Sequence, residues 1–477
     1  MNTEIKTRTE KDLLGFKEVP FHCYYGVQTL RAFESFNLTQ RRLSDFPIFI
    51  QSLAMIKMAC AESNFSLGKL RNAKFEAIQY ACKQLMSGLY RDQFPIDMMQ
   101  GGAGTSINMN ANQVTANIGL EHMGYLKGEY QYQHPNNDGN MSQSTNDVYP
   151  SAIKLALNLS LEKLYVPFQN LIHSFQAKSD EFSEVLKMCR TQLQDAVPMT
   201  LGQEFGAFAH TSQKDLNKIK QIMPDTLSVI NLGSTTIGTG INTEVQYRIN
   251  AVPALAKITG KSISSSPDLI EATSDMGDFV LLLGFLKRTA TKLSKMSNDL
   301  RLLSSGPRAG LGEIQLEPRQ PGSSIMPCKV NPVIPEAMNL SCFQVVANDL
   351  ALTLTLTLTL TLAAEAGQLQ LNTMEPLIAF KLFESIDLLG KAMRMLEQKC
   401  IRNIQAKSEN CQYLVDNSFG IDNVLNPYLG YETTTKIAKQ ANETGQSVLA
   451  LIKAEKLLSD EVLSNLLSVK NMVQPMH

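Results

Sequence analysis

The chain has 477 residues, 44% of them hydrophobic and 19% charged, a length that exceeds one ordinary core and predicts two or three domains. Its formal net charge of -1 gives no general attraction for nucleic acid or anionic lipid, so we expect neither a nucleic-acid partner nor a membrane surface. The N-terminus lacks the apolar core of a signal peptide, no run reaches the roughly 20 apolar residues of a membrane helix, and the eight cysteines show no metal-ligand spacing, which together predict a cytoplasmic protein with reduced thiols.

A glycine-rich stretch, residues 100–108, leads into a helical pattern that ends near Leu120. Glycines let the backbone approach a ligand, and the free amides at a helix start attract an anion. Thr105 and Ser106 add hydroxyl donors at this point. The stretch is therefore a candidate anion site, although its composition taken alone is more typical of a plain turn.

A second polar loop, residues 134–147, precedes a long helical pattern. Asn146 or Asp147 can cap that helix, which places Ser144 and Thr145 beside the positive end of its dipole. An anion would be favoured there. Because Ser-Thr-Asn-Asp is also an efficient cap without any ligand, the tetrapeptide alone leaves both interpretations open.

Long helical patterns follow, with apolar residues three and four positions apart in 151–187 and again in 276–303. Long helices of this kind predict a bundle. After about Cys400 the pattern becomes shorter and more polar, as in a small terminal domain. We therefore expect an N-terminal domain over residues 1–147, a central bundle over 148–402 and a small helical domain over 403–477.

The stretch Gly322–Pro332 carries the densest set of reactive and polar groups. Its glycine, its two serines and its two prolines exclude a regular helix, and a long irregular loop in a compact protein is usually functional or disordered. The hydroxyls of Ser323 and Ser324 are followed by the ammonium of Lys329 and the amide of Asn331. These groups suit a substrate that bears carboxylates, whereas the alternative is a solvated surface loop.

Leucine and threonine alternate through most of Leu350–Leu362. Alternation with a period of two is typical of a strand, but the flanking patterns predict helix. In a helix these leucines would lie all around the circumference and would have to be buried on every side. We expect the tract to continue a core helix with a local break.

The stretch Gly322–Pro332 resembles the signature loop of the aspartase/fumarase superfamily, Gly-Ser-Ser-x-Met-Pro-x-Lys-x-Asn, at every specified position. Residues 100–108 and 144–147 resemble the family's first two substrate loops, and residues 190–198 resemble its third motif. Pro335-Glu336 and residues 363–372 are more similar to the aspartase branch than to the fumarases. The resemblance extends over almost the whole chain.

This resemblance implies a mainly α fold, in which a central bundle of long helices is flanked by two smaller helical domains. It also implies a homotetramer in which the motif loops of one active site come from different subunits. The implied reaction uses no redox cofactor, and we expect no bound metal.

The reaction implied by the resemblance is reversible elimination of ammonia from L-aspartate to give fumarate. Proton removal next to a carboxylate forms a dianionic, enolate-like intermediate, which needs several convergent donors. Ser323 would be the general base, with its alkoxide stabilised by backbone amides and a nearby cation. Thr191 would contact the substrate, Asn146 would hold its amino group, Lys329 and Asn331 one carboxylate, and Thr105, Ser144, Thr145 and Ser324 the carboxylate that gains charge.

Two alternative functions remain. Fumarate hydratase has the same fold with water as the leaving group, but Gln192 stands where fumarases and some aspartases carry histidine, and residues 367–370 also disfavour it. A non-catalytic helical scaffold is the second alternative, in which the Leu/Thr tract has displaced the catalytic parts.

Overall fold

The computed structural model describes residues 6–350 and 360–473. These residues are mainly α-helical, as the sequence predicts. Helices flank the Leu/Thr tract, one ending at Leu350 and the next beginning at Leu360. Residues 351–359 lie outside the described part of the chain, so the expected local break stays a prediction. No helix within the described ranges is long and apolar enough to cross a membrane.

The helices follow one another along the chain with short strands between some of them. In order they are α1 (Val27–Ser35), α2 (Pro47–Ser66), α3 (Asn72–Met86), α4 (Thr105–His122), α5 (Thr145–Glu181), α6 (Leu201–Ser228), α7 (Thr235–Gly238), α8 (Val245–Thr259), α9 (Glu271–Ser274), α10 (Gly277–Leu303), α11 (Val333–Leu350), α12 (Leu360–Glu365), α13 (Glu375–Lys399), α14 (Ser408–Asp416), α15 (Asp422–Leu429), α16 (Tyr431–Thr444), α17 (Val448–Ala454), α18 (Asp460–Leu466) and α19 (Val469–Val473).

The strands form small two-stranded sheets. They are β1 (Thr7–Asp12) with β2 (Gly15–Pro20), β3 (Leu186–Thr191) with β4 (Gln194–Thr200), β5 (Val229–Ile230) with β6 (Ser264–Ser265), and β7 (Ile314–Gln315) with β8 (Gln405–Ala406). The β5–β6 pair is parallel and the others are antiparallel. The β3–β4 hairpin carries the third motif.

The chain divides into two compact units, and the long helices α5, α6, α10, α11 and α13 each contribute residues to both. Unit 1 comprises the described parts of Met1–Leu164, Lys218–Lys287 and Gln344–Leu388. An aromatic cluster lies in its core, where the ring of Phe49 is 5.6 Å from Tyr149 and 5.2 Å from Phe383. Helix α4 crosses this unit with its amide side chains buried, and these are Asn108, Asn110, Asn112, Gln113 and Asn117.

Unit 2 comprises the described parts of Tyr165–Asn217, Arg288–Phe343 and Leu389–His477. Its C-terminal helices enclose an apolar cluster in which Met188 of β3 packs with residues such as Val415, Leu425 and Ile437. Strand β3 is therefore anchored by the C-terminal segment. The predicted division of the chain into three domains stays a prediction.

Candidate active site

The glycine-rich stretch 100–108 leads into α4, which begins at Thr105. Gly104 adopts a φ of +82°, and an added Cβ would lie 2.4 Å from the ring of Tyr149, so both conformation and space require glycine there. The N-cap of α4 is Gly104, which has no side chain with which to cap the helix, and this leaves amide donors of the first turn available. The exposed Thr105 side chain stands at this helix start.

The second polar loop, residues 134–147, leads into α5 through a cap that differs from the prediction. Helix α5 begins at Thr145, so Ser144 is its N-cap, rather than Asn146 or Asp147. Ser144 Oγ accepts a hydrogen bond from the Asn146 amide at 3.2 Å, and Asp147 Oδ1 accepts one from the Ser144 amide at 2.9 Å. This arrangement resembles a capping box, with aspartate in the position usually taken by glutamate and with the serine hydroxyl bonded to the second helical amide instead of the third.

Asp147 also ties the helix start to a distant turn. Its Oδ2 accepts hydrogen bonds from the amides of Gly233 at 3.0 Å and Thr235 at 3.2 Å. Burial raises the pKa of Asp147 to about 6, although the backbone hydrogen bonds from Ser144, Thr235 and Gly233 act in the opposite direction. The carboxylate therefore fixes the relative position of the α5 start and the 233–235 turn.

The same turn orients the Asn146 side chain. Asn146 Nδ2 donates to the Thr236 carbonyl at 2.7 Å. A carbonyl oxygen only accepts, so the nitrogen must face Thr236, and Oδ1 remains the available acceptor. The main-chain carbonyl of Asn146 is held as well: Pro150 has no N–H to donate to it within the helix, and Asn231 Nδ2 donates instead at 3.0 Å.

Whereas Asn146 presents an acceptor, the two hydroxyls beside it, those of Ser144 and Thr145, can act as donors. Thr145 Oγ1 accepts from Asn108 Nδ2 at 3.1 Å, and Ser144 Oγ accepts from the Asn146 amide. Each hydroxyl proton therefore remains available for a further acceptor. The α5 start thus offers two hydroxyl donors and one amide acceptor, and the bond from Asn108 brings α4 and Thr105 to the same place.

The Ser323 loop, residues 322–331, is closed by its own backbone. The Gly322 amide donates to the Lys329 carbonyl at 2.7 Å, and Asn331 Nδ2 donates to the Gly322 carbonyl at 3.2 Å. An added Cβ on Gly322 would lie 2.6 Å from that Lys329 oxygen, so the closure requires glycine. Ser324 and Lys329 are exposed on this loop.

Ser323 sits in a local amide environment. Its Oγ accepts from the amides of Ile325 at 3.2 Å and Met326 at 3.1 Å. Two N–H donors favour the ionised form of an oxygen, which is what a serine base requires. The same two bonds also occur in ordinary serine turns.

Thr191 lies at the exposed tip of the β3–β4 hairpin. The two turn residues, Gln192 and Leu193, have positive φ values of 53° and 64°, as a tight two-residue hairpin turn demands. Next to the tip, Arg190 Nη1 pairs with the buried Glu313 Oε1 at 2.5 Å. No hydrogen bond joins Thr191 to the Ser323 loop in the described part of unit 2.

The predicted site residues therefore occupy three places: Thr105, Ser144, Thr145 and Asn146 at two adjoining helix starts, Thr191 at a hairpin tip, and Ser323, Ser324, Lys329 and Asn331 in one loop. The sequence interpretation missed Asn108, which contacts Thr145, and the buried Lys57 behind the second loop. The run of amide residues in α4 was a signal that could have identified Asn108.

Comparisons with known proteins bear on the same chain. A family model described as "Lyase" matches residues 15–347, and one described as "Fumarase C C-terminus" matches residues 424–474. The chain belongs to the aspartase/fumarase superfamily. Within this superfamily, it is 57% identical to the aspartate ammonia-lyase of Pseudomonas canavaninivorans, with 100% of this chain and 98% of the relative covered. It is 49% identical to that of Escherichia coli (strain K12), with 98% and 96% covered.

Solved members of the superfamily share the fold. A fumarate lyase:delta crystallin from Brucella melitensis, solved bound to cobalt, is 48% identical with a TM-score of 0.94, over 98% of this chain and all of that one. A class II fumarase from Schistosoma mansoni is 33% identical with a TM-score of 0.88, over 98% of both chains. The family and the mainly α fold predicted from the motifs are confirmed.

Proposed function

We propose that this protein catalyses the reversible deamination of L-aspartate to fumarate and ammonia. The relatives named aspartate ammonia-lyase match it at 49–57% identity over nearly its full length. The structural observation that supports the assignment best is the orientation of Asn146, whose Oδ1 is an acceptor beside the hydroxyl donors of Ser144 and Thr145. An ammonium needs an acceptor and a carboxylate needs donors, so the α5 start matches an amino acid.

In the proposed mechanism, the Ser323 alkoxide removes the proton from the carbon next to a substrate carboxylate. The electron pair moves into that carboxylate, which becomes a dianionic, enolate-like group. The pair then returns to form the carbon-carbon double bond as the carbon-nitrogen bond breaks and ammonia leaves. The elimination is redox-neutral, and Ser323 loses its new proton to solvent before the next turnover.

The other site residues would bind and stabilise charge. Thr105, Ser144, Thr145 and Ser324 would donate to the carboxylate that becomes dianionic, and Lys329 and Asn331 would hold the other carboxylate. Thr191 would contact the substrate from its hairpin. Donors that are fixed before the charge develops need no reorganisation in the transition state, which is how such sites lower a barrier.

The assay that tests this function follows the ultraviolet absorbance of fumarate with aspartate and, separately, with malate. We expect fumarate from aspartate and none from malate, with a Ser323→Ala preparation as the control for contaminating enzymes. Turnover of malate alone would assign fumarate hydratase instead. A folded protein that converts neither substrate would support the remaining alternative, a non-catalytic helical scaffold.

We further propose a homotetramer with active sites shared between subunits. Leu340 and Phe343 on α11 are 63% and 58% exposed, and Leu281 and Leu302 on α10 are also exposed. Exposed apolar side chains on long helices favour association with another surface. All eight cysteines are unpaired, as expected in a reducing compartment, which supports the cytoplasm as the proposed location.

Subunit mixing tests the shared site. Ser323→Ala and Thr145→Val variants, each impaired alone, are co-expressed and the mixed oligomer is assayed. If one active site takes its Ser323 loop and its α5 start from different subunits, some sites in the mixed oligomer contain both wild-type residues and activity returns. Light scattering gives the subunit number. Mixed tetramers that stay as inactive as the parents would place each site within a single chain.

A further inference from the structure

A buried lysine lies behind the second polar loop, residues 134–147. Lys57 of α2 is only 1% exposed, and its Nζ donates to Asn140 Oδ1 and to Gln143 Oε1, both at 2.8 Å. Both acceptors belong to the loop that ends at Ser144. Burying an ammonium is costly unless hydrogen bonds compensate it, and burial lowers the pKa of Lys57 to about 8. The ammonium therefore anchors this loop at an energetic cost.

The hydrogen-bonding roles of the neighbouring amides follow from that ammonium. An ammonium only donates, so the atom of Asn140 that faces it must be Oδ1. Asn140 Nδ2 accordingly donates to the Gln143 carbonyl at 3.2 Å. Asn108 approaches the same Asn140 Oδ1 at 3.2 Å with its Nδ2, because an oxygen there would meet another acceptor. The orientation of Asn108 is thereby fixed.

Asn108 passes this orientation to Thr145. Its Nδ2 donates to Thr145 Oγ1 at 3.1 Å, while its Oδ1 is buried without a hydrogen-bond partner among the described residues. The two hydrogen bonds donated by Nδ2 therefore determine the orientation of the Asn108 side-chain amide. Since Thr145 Oγ1 is an acceptor in this bond, its own proton must point to a different group, whereas an unconstrained hydroxyl rotates between both roles.

We propose that Asn108 is a positioning residue, and that the buried chain Lys57–Asn140–Asn108 fixes the Thr145 hydroxyl as a donor to the substrate carboxylate. This inference rests on the proposed function, in which Thr145 binds that carboxylate. Asn108 does not touch the substrate. It acts by removing the cost of reorienting a hydroxyl dipole as negative charge develops, which is the origin of electrostatic preorganisation.

The test compares Asn108→Asp with Thr145→Val and with the double variant. Aspartate has the same shape as asparagine, but its carboxylate cannot donate, so the Thr145 proton would turn toward it and away from the substrate. We expect Thr145→Val to lower kcat/KM for aspartate by roughly 10²-fold, the cost of one charge-stabilising donor, and Asn108→Asp to reproduce most of that loss. The double variant should lose no more than about twofold beyond Thr145→Val, because both changes remove the same interaction.

Two variants separate positioning from stability. Asn110 is buried on the same helix and donates to the Gln93 carbonyl at 3.0 Å, so Asn110→Asp removes an equivalent bond away from Thr145. It should lower the melting temperature but leave kcat/KM of the folded enzyme unchanged. Asn108→Ala removes the donor without adding an acceptor, so it should impair kcat/KM less than Asn108→Asp.

Each outcome decides between distinct conclusions. Thr145→Val with wild-type activity would refute both the proposed role of Thr145 and this inference. If Thr145→Val is impaired but Asn108→Asp keeps a kcat/KM within about twofold of wild type, the inference is refuted and the proposed role of Thr145 is not. Additive losses in the double variant, or activities of the two Asn108 variants that merely follow their melting temperatures, would also overturn it. If Asn108→Asp does not fold, the Asn108→Ala and Thr145→Val double cycle supplies the same comparison.

Discussion

The α5 start and the Ser323 loop hold most of the predicted site residues but are stabilised in opposite ways. Residues 144–147 are hydrogen-bonded to Asn108 of α4, to Asn231 and to the 233–236 turn. In the described part of the chain, the hydrogen bonds of residues 322–331 stay within the loop or reach only Val333. The α5 start is therefore held by hydrogen bonds to other parts of the fold, whereas the Ser323 loop is held mainly by hydrogen bonds within the loop.

This difference matches the two tasks of the proposed reaction. Donors for a developing charge act best when they are fixed beforehand. A serine base, in contrast, needs a site from which water is excluded after the substrate has entered, and a self-contained loop can close as a unit. We infer that the α5 start preorganises binding and that the Ser323 loop completes the site.

The largest expected effect is that of Ser323→Ala. Removing the base should lower kcat for aspartate by roughly 10²–10⁴-fold or more, while the melting temperature stays nearly unchanged because the side chain contributes only local bonds. Fumarate formation and a thermal melt measure the two quantities. Near-normal turnover would remove Ser323 from the base role.

Lys329→Ala should have the next largest effect. Its ammonium is used in both the ground state and the transition state, so KM should rise and kcat should fall together, each by about tenfold or more. Lys436→Ala changes an exposed lysine of α16 in the same unit and serves as the control with wild-type kinetics. A Lys329→Ala enzyme with an unaltered response to a dicarboxylate inhibitor would count against substrate contact.

Gly322→Ala tests whether the loop depends on its own closure. The new Cβ would lie 2.6 Å from the Lys329 carbonyl oxygen, so the 322–329 hydrogen bond must distort. We expect kcat to fall by about tenfold, since small displacements of a catalytic group have effects of this order, with little change in melting temperature. A large loss of thermal stability would show that the loop is instead part of the folded framework.

The smallest expected effect is a pH dependence of stability that arises from Lys57, which anchors the second polar loop. The pKa of Lys57 is lowered from 10.5 to about 8 by burial, despite nearby Asp147, Cys60 and Cys82. Between those values the unfolded chain binds the extra proton, so the contribution of Lys57 to the free energy of unfolding rises with pH. Relative to Lys57→Met, the wild type should gain about 1–3 kcal/mol across this range, measured by urea unfolding at several pH values from about 8 to 10.5. A difference that does not change with pH would contradict a lowered pKa.

The sequence by itself determined the helical class, the family and the identity of the groups in each motif. Helical periodicity is repeated locally along α5 and α10, and a signature such as Gly322–Pro332 depends on residues that are adjacent in the chain. Hydroxyl, ammonium and amide groups at these positions already indicated a substrate with carboxylates. Such features are encoded over short distances, so they can be read without the fold.

Only the tertiary structure decided what each polar group does. The partner of Lys57 is 83 residues away at Asn140, and the partner of Asn146 is 90 residues away at Thr236. Together with the bond from Asn108 to Thr145, they set which atom of Asn146 accepts and which way the Thr145 proton points. Short-range spacing carries no information about them, because hydrogen-bond direction is fixed by whichever donor or acceptor the folded chain brings into contact.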